Sequence, residues 1–284
     1  PYTLTRVASW RNLEAGNRCT DTLPTAFYGF LSSPEFAPQA IQLTLGSLWS
    51  HGDYLLNHPA GLRRPSNWSV IDSTGLAAVS IYFPEFREAE TWRKDAYDRL
   101  AYQLDLQVYP DGAQWELAPS YHLYCLSRFQ KAFDLAADAH LDIPEAFGTR
   151  LESMYEFLMW ICKPNGTVPA FSDSKSNSIK RVLLDGANAF DRKDFRYVAS
   201  GGEDGTPPAA TSHILPWSGY AMMRSGWDNQ ALYLCFDGGP LGTNHQHDDK
   251  LSFVISAYGS EFIVDPGPYL YTRDRWRQYA LSTE

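Results

Sequence analysis

Two imidazoles and several carboxylates crowd the stretch from Phe236 to Tyr271, FDGGPLGTNHQHDDKLSFVISAYGSEFIVDPGPYLY. His245, His247 and Asp248 form an H-x-H-D pattern inside a Gly-rich loop. Imidazole is the side chain best suited to take and return a proton near neutral pH, and it is also the commonest metal ligand. Just downstream, the alternation of Leu251, Phe253, Ile255 and Ala257 predicts a strand that buries this set of side chains. A turn at Tyr258-Gly259-Ser260 and a return run from Glu261 to Val264 complete a hairpin, stopped at Asp265-Pro266-Gly267 because Pro cannot extend a ladder. Antiparallel pairing sets the entry of one strand beside the exit of the other, so His247 and Asp265 can share one metal ion. Imidazole plus carboxylate suits zinc, with calcium or manganese as alternatives, and a complete site needs at least one further ligand from elsewhere. The same side chains can equally serve as polar caps on strand ends.

Other polar groups sit at the ends of predicted helices. Trp10 to Arg18, W-R-x-L-E-A-G-x-R, reads as an amphipathic helix stopped by Gly16. A Pro/Gly/Arg loop over residues 58–67 leads to Asn67, whose type and place fit an N-cap, and Trp68 follows it. Ala89, Trp92, Ala96, Leu100 and Leu104 recur at helical spacing and predict a long helix from Pro84, ended by the turn at Asp111-Gly112. The next helix is expected to open at Gln114 and to carry Trp115, Glu116, Tyr121 and His122. Another runs from Pro144 to Ile161, and the segment Thr167 to Asp173 follows. Residues 200–208, SGGEDGTPP, have linker composition, which places a domain of helical hairpins at 1–205 and the start of an antiparallel sheet domain at 206–284. The last residues stop in polar sequence just after one hairpin, so both domains are expected to be incomplete.

Composition narrows the partners. With 284 residues, 44% of them hydrophobic and 14% aromatic, the chain can bury a sizeable core. A net charge of −9 without any Lys/Arg-rich run argues against nucleic acid, and an acidic sugar would need locally placed cations. No apolar run is long enough to span a membrane. Nine Trp and seventeen Tyr exceed what such a core needs, and aromatic faces are good platforms for sugar rings. The four cysteines are widely spaced, without C-x-x-C, and read as buried thiols.

HQHDDKLSF followed by IVDPGPYLY resembles the start of the β-sheet domain of the heparinase II/III-like polysaccharide lyases, a family of heparin, heparan sulfate and alginate lyases. The pattern P-D-G-x-x-x-E-x-x-P-x-Y-H from Pro110 to His122 is similar to a helix of that family's toroid. P-x-x-S-D, ending at Asp173, resembles its P-x-x-G-D segment with Ser172 where Gly is usual. The resemblance implies an α+β, multidomain fold, an (α/α) toroid followed by an antiparallel β-sandwich, and β-elimination on acidic polysaccharides, glycosaminoglycans ahead of alginate. It implies that Asn67 holds the substrate carboxylate and that Tyr121 protonates the leaving C4 oxygen, with Tyr121 also the base when proton and leaving group are syn and His245 the base when they are anti. Many members follow that Asn with His, and here Trp68 stands instead, which puts a second neutralising donor there in doubt. Trp68, Trp115, Glu116, His122, Asn244 and Tyr271 are expected beside the substrate. His247 and Asp265 would hold a structural divalent metal, its third ligand a His beyond Glu284, and the protein would be secreted or periplasmic. Two other readings stay open: a glycoside hydrolase on the same toroid, with carboxylates among Asp72, Glu116 and Asp173, and a noncatalytic glycan-binding protein. The oligomeric state is not legible.

Overall fold

The computed structural model describes residues 8–61, 65–272 and 274–282; residues 62–64 of the Pro/Gly/Arg loop and the terminal Glu284 lie outside these. The described residues up to Leu106, with Ser127–Phe147, form one compact unit, and Gln107–Leu126 with those from Gly148 onward form a second.

The first unit is helical. It contains α1 (Asn12–Asn17), a π-helical turn (Arg18–Thr22), α2 (Leu23–Phe30), α3 (Pro38–Asn57), α4 (Asn67–Tyr82) and nearly all of α5 (Ala89–Gln107). Gly16 does not stop the first helix, as its sequence context suggests, because the chain continues helically through the π turn into α2. Its role is close packing: a Cβ on Gly16 would stand 2.6 Å from the Ile71 carbonyl oxygen, and one on Gly75 would stand 2.6 Å from Gly16 Cα. Only a residue without a side chain lets α1 and α4 approach this far. α4 is accordingly buried almost all round, with Val70, Ile71, Leu76 and Val79 at 0% exposure. The helical spacing read in α5 holds, since Ala89, Trp92, Ala96, Leu100 and Leu104 are all buried. Inside this unit Asp72 accepts hydrogen bonds from the Ala60 amide and the Ser73 hydroxyl (3.1 Å), and Asn12 Nδ2 lies 3.4 Å away. Burial pushes its pKa up to about 7, against the pull of those bonds and of the Arg99 charge.

α6 (Pro119–Asp138) begins at Pro119 rather than at Gln114. Gln114 instead pairs with Val108 as an isolated bridge, and Leu117 takes a left-handed conformation (φ 51°) that no helix tolerates. Pro then starts the helix, where its missing N–H costs nothing. The second unit adds α7 (Glu145–Ile161), α8 (Lys180–Phe190), α9 (Lys193–Ser200) and five strands, β1 (His213–Leu215), β2 (Tyr220–Arg224), β3 (Tyr233–Asp237), β4 (Ser252–Ala257) and β5 (Ser260–Ile263). They form an antiparallel meander in sequence order. A short helix, α10 (Arg275–Leu281), follows.

One face of this sheet is anchored on the end of α7. The Tyr233 hydroxyl donates to the Ile161 carbonyl (2.8 Å), and Arg224 Nη2 donates to the carbonyls of Trp160 (2.8 Å) and Cys162 (3.0 Å). Tyr220 on the same face donates to the Leu117 carbonyl at 3.0 Å. Register places Cys235 opposite Val254 and Tyr233 opposite Ser256, so β4 buries Val254 and Ser256, while Leu251 and Phe253 are 71% and 41% exposed. The face expected from the alternation is therefore the wrong one; of that set only Ala257, at the turn, is buried. The turn itself is as expected, with Tyr258 (φ 53°) and Gly259 (φ 74°) both left-handed, the geometry that fits a two-residue hairpin.

Candidate active site

The H-x-H loop is irregular rather than extended, and three attachments, by backbone and by side chain, fix it within the second unit. Gly242 lies so close to the chain that a Cβ would stand 2.5 Å from the Glu116 carbonyl oxygen. Gln246 Nε2 donates to the carbonyls of Glu116 (3.1 Å) and Leu117 (2.9 Å) and to the Ser172 hydroxyl (3.0 Å). The Asp173 amide donates to the His245 carbonyl (3.0 Å). His245 and Ser172 both take left-handed φ, 59° and 58°. At Ser172 that conformation explains why Gly is usual in the segment it resembles.

So held, His245 lies flat on Tyr121, with ring centroids 3.5 Å apart and planes 13° from parallel. The Tyr121 hydroxyl shares a 2.8 Å hydrogen bond with the Tyr271 hydroxyl. Burial raises the Tyr121 pKa; the Tyr271 bond and the more distant Arg277 charge pull it down, while the Asp173 and Glu116 charges push it up further. At neutral pH Tyr121 is a phenol able to give a proton.

Behind the ring stack, the Asp173 carboxylate gathers three cationic or N–H groups. It faces His245 Nδ1 at 3.2 Å and His247 Nε2 at 2.9 Å, and Arg277 Nη2 donates to it at 2.6 Å. Burial alone would raise its pKa, yet these hydrogen bonds outweigh that and hold the carboxyl well below the usual range. A carboxylate so ionised only accepts, so both imidazole nitrogens facing it must carry hydrogens. In its neutral form His245 then presents its lone pair on Nε2, and His247 on Nδ1. The Arg277 guanidinium also lies 4.8 Å from the centre of the Tyr271 ring.

Burial pushes the Asp265 pKa up to about 6, against the pull of the Gly267 amide, and the neighbouring Asp249 adds to the rise. Asp249 Oδ1 is buried without a hydrogen-bond partner. Among the described residues no three His, Cys, Asp or Glu side chains stand together as a metal-binding group.

The remaining expected residues fall in different places. Asn67 opens α4 in the first unit, but it is not the cap: Ser66 is, its hydroxyl accepting from the Trp68 amide in a capping box with Ser69. Trp68 is 38% exposed, with the Arg11 guanidinium 5.8 Å from its ring centre. Trp115 is partly buried and Asn244 is exposed. Asn67, Glu116 and His122 are buried, at 4%, 0% and 1% exposure. The His122 ring is committed to the Gln114 amide (3.2 Å) and the Met154 carbonyl (3.1 Å), and burial pushes its pKa down to about 3. Arg277 carries no local sequence signal, and Asp173 is marked only by the P-x-x-S-D segment, which gives no hint of its two histidines.

Comparison with known proteins agrees with this layout. Residues 2–197 match the family model described as Heparinase II/III N-terminus, and residues 207–284 match Heparinase II/III-like, C-terminal. The heparin-sulfate lyases of Pedobacter heparinus and Bacteroides stercoris are each 30% identical to the chain over 93% of its length, and the chain spans 40% of theirs. A solved heparinase III gene product superposes with a TM-score of 0.83 at 29% identity, covering 96% of this chain and 44% of that one. The heparan sulfate lyase of Pedobacter heparinus superposes at 0.79 and 28%, covering 99% and 46%. The helical hairpins and following antiparallel sheet are thus the toroid and sheet elements of a known fold, and the chain belongs to the heparinase II/III family.

Proposed function

We propose that this chain carries the proton-transfer groups of a polysaccharide lyase that cleaves uronate-containing polymers by β-elimination, glycosaminoglycans ahead of alginate. The observation that carries the reading is the stack of His245 on Tyr121, a base and an acid in contact, in a chain whose relatives are named heparin-sulfate lyases. Where the C5 proton of the uronate and the C4 leaving group are anti, His245 Nε2 takes the proton; where they are syn, Tyr121 serves as the base as well. The C5–H electron pair forms the C4–C5 double bond, the C4–O bond breaks, and the Tyr121 hydroxyl protonates the departing oxygen. The C5 proton is acidic only when the neighbouring carboxylate is neutralised, because charge spreads onto it as the proton leaves. Asn67 is proposed for that role on the family resemblance.

His247 and Asp265 are proposed as ligands of a structural divalent cation, zinc or else calcium or manganese, which when bound would brace the H-x-H loop. No described helix is long and apolar enough to cross a membrane; we place the protein outside the cytoplasm or in the periplasm by likeness to the family. The hydrolase reading loses ground because Asp72, Glu116 and Asp173 are all buried. The deciding experiment is a panel of heparan sulfate, heparin, hyaluronan, chondroitin sulfate and alginate given to the full-length protein. Ultraviolet-absorbing unsaturated products are expected from the glycosaminoglycans, and chain cleavage without them would sink the elimination mechanism.

A further inference from the structure

We propose that Asp173 is the positioning residue of this site, fixing His245 with its Nε2 lone pair outward while holding His247 in the opposite tautomer. The inference rests on the lyase reading above.

The carboxylate is 2% exposed, so its bonds are not exchanged with water. Each oxygen has its own imidazole: Oδ2 faces His245 Nδ1 at 3.2 Å and Oδ1 faces His247 Nε2 at 2.9 Å. One guanidinium nitrogen of Arg277 reaches both oxygens at 2.6 Å. With Arg277 donating to both oxygens, the carboxylate is an acceptor on every side, so each neutral histidine turns its N–H towards Asp173 and its lone pair away. The main chain repeats the grip, because the Asp173 amide donates to the His245 carbonyl at 3.0 Å. Without the side chain, the backbone bond would still hold the loop, but the imidazole could flip or place its proton on Nε2. It could then no longer accept one from substrate. The arrangement is that of an orienting carboxylate behind a general base, built here so that one Asp serves a proton-transfer histidine and a candidate metal-ligating histidine together.

The test uses the full-length protein and two readouts. Asp173→Asn is expected to fold, to leave KM within about threefold, and to lower kcat by about 10²–10⁴-fold on heparan sulfate, as when an orienting carboxylate is replaced behind a catalytic histidine. Nitrogen-15 correlation spectra of histidine-labelled wild-type protein, read without substrate, are expected to show His245 protonated on Nδ1 and His247 on Nε2. Either of two results overturns the proposal: His245 carrying its proton on Nε2 in the wild type, or an Asn variant whose kcat loss is below about threefold or merely tracks the folded fraction. If the wild type releases no unsaturated product, the lyase reading fails instead, and the tautomer of His245 still decides the role of Asp173.

Discussion

A tyrosine that must protonate a leaving oxygen is best kept as a phenol, and burial does this for Tyr121 before any neighbour acts. Tyr121→Phe preserves the ring that His245 stacks on and removes only the proton. We expect kcat to fall at least about 10²-fold with polymer binding nearly unchanged, measured by product absorbance and by equilibrium binding. The two histidines should separate in a different experiment. His247→Ala is expected to lower thermal stability and metal content, whereas His245→Ala should spare both and remove activity; elemental analysis and thermal melts check this, and equal metal content in the two variants would defeat the assignment. Tyr121, His245 and Tyr271 were legible from residue type and motif, and they do meet. Arg277 was not, and Asp173 was legible only as the end of a motif, without its two histidines. Asp173 lies 72 and 74 residues from its two histidines and 104 from Arg277, and pattern reading sees only neighbours along the chain.

Elements were easiest to read where burial follows a single period. The buried stripe of α5 is the clear case, since Ala89, Trp92, Ala96, Leu100 and Leu104 recur at one helical spacing and are all buried, although Tyr102 and Leu106 stand exposed beside it. β4 is the opposite case: Val254 lies among Leu251, Phe253 and Ile255, so apolar side chains occupy both faces, and alternation cannot say which face is covered. That choice is made by Tyr220, Arg224 and Tyr233 reaching carbonyls before α6 and at the end of α7, which the strand sequence does not contain. The start of α4 was misread by one residue because Ser66 and Asn67 are both good caps. Ser66→Ala should cost about 1 kcal/mol in denaturant unfolding, through loss of the bond from the Trp68 amide and its reciprocal partner Ser69. An unchanged midpoint would show that the capping box contributes nothing.

Stability of the molecule as a whole should carry a signature of Asp72. Its pKa is higher folded (about 7) than the ordinary 3.8, so between those values the folded state binds more protons than the unfolded one. Stability from this group is then fully present below about pH 4 and falls as pH rises towards 7. Asp72→Asn, which mimics the protonated acid, should remove that fall, a difference on the order of 2–4 kcal/mol between the two pH extremes in parallel urea titrations. Parallel pH profiles for the two proteins would contradict the assignment. Asp173 acts in the reverse sense, since its lowered pKa stabilises the fold above the ordinary carboxylate range and is lost on acidification.

The outer face of the sheet has a consequence for handling. Ile214 pairs across to Ala221, then Phe236 and Phe253, while Met223 pairs through Leu234 and Ile255 to Ile263. Ile214, Met223, Phe253 and Ile263 are 68%, 53%, 41% and 42% exposed, so these rows form an oily stripe ending on the wholly exposed edge strand β5. A chain with this surface is a poor colloid despite its negative charge. In isolation it should brighten naphthalene-sulfonate dyes without denaturant and scatter light increasingly with concentration, most of all in sulfate salts.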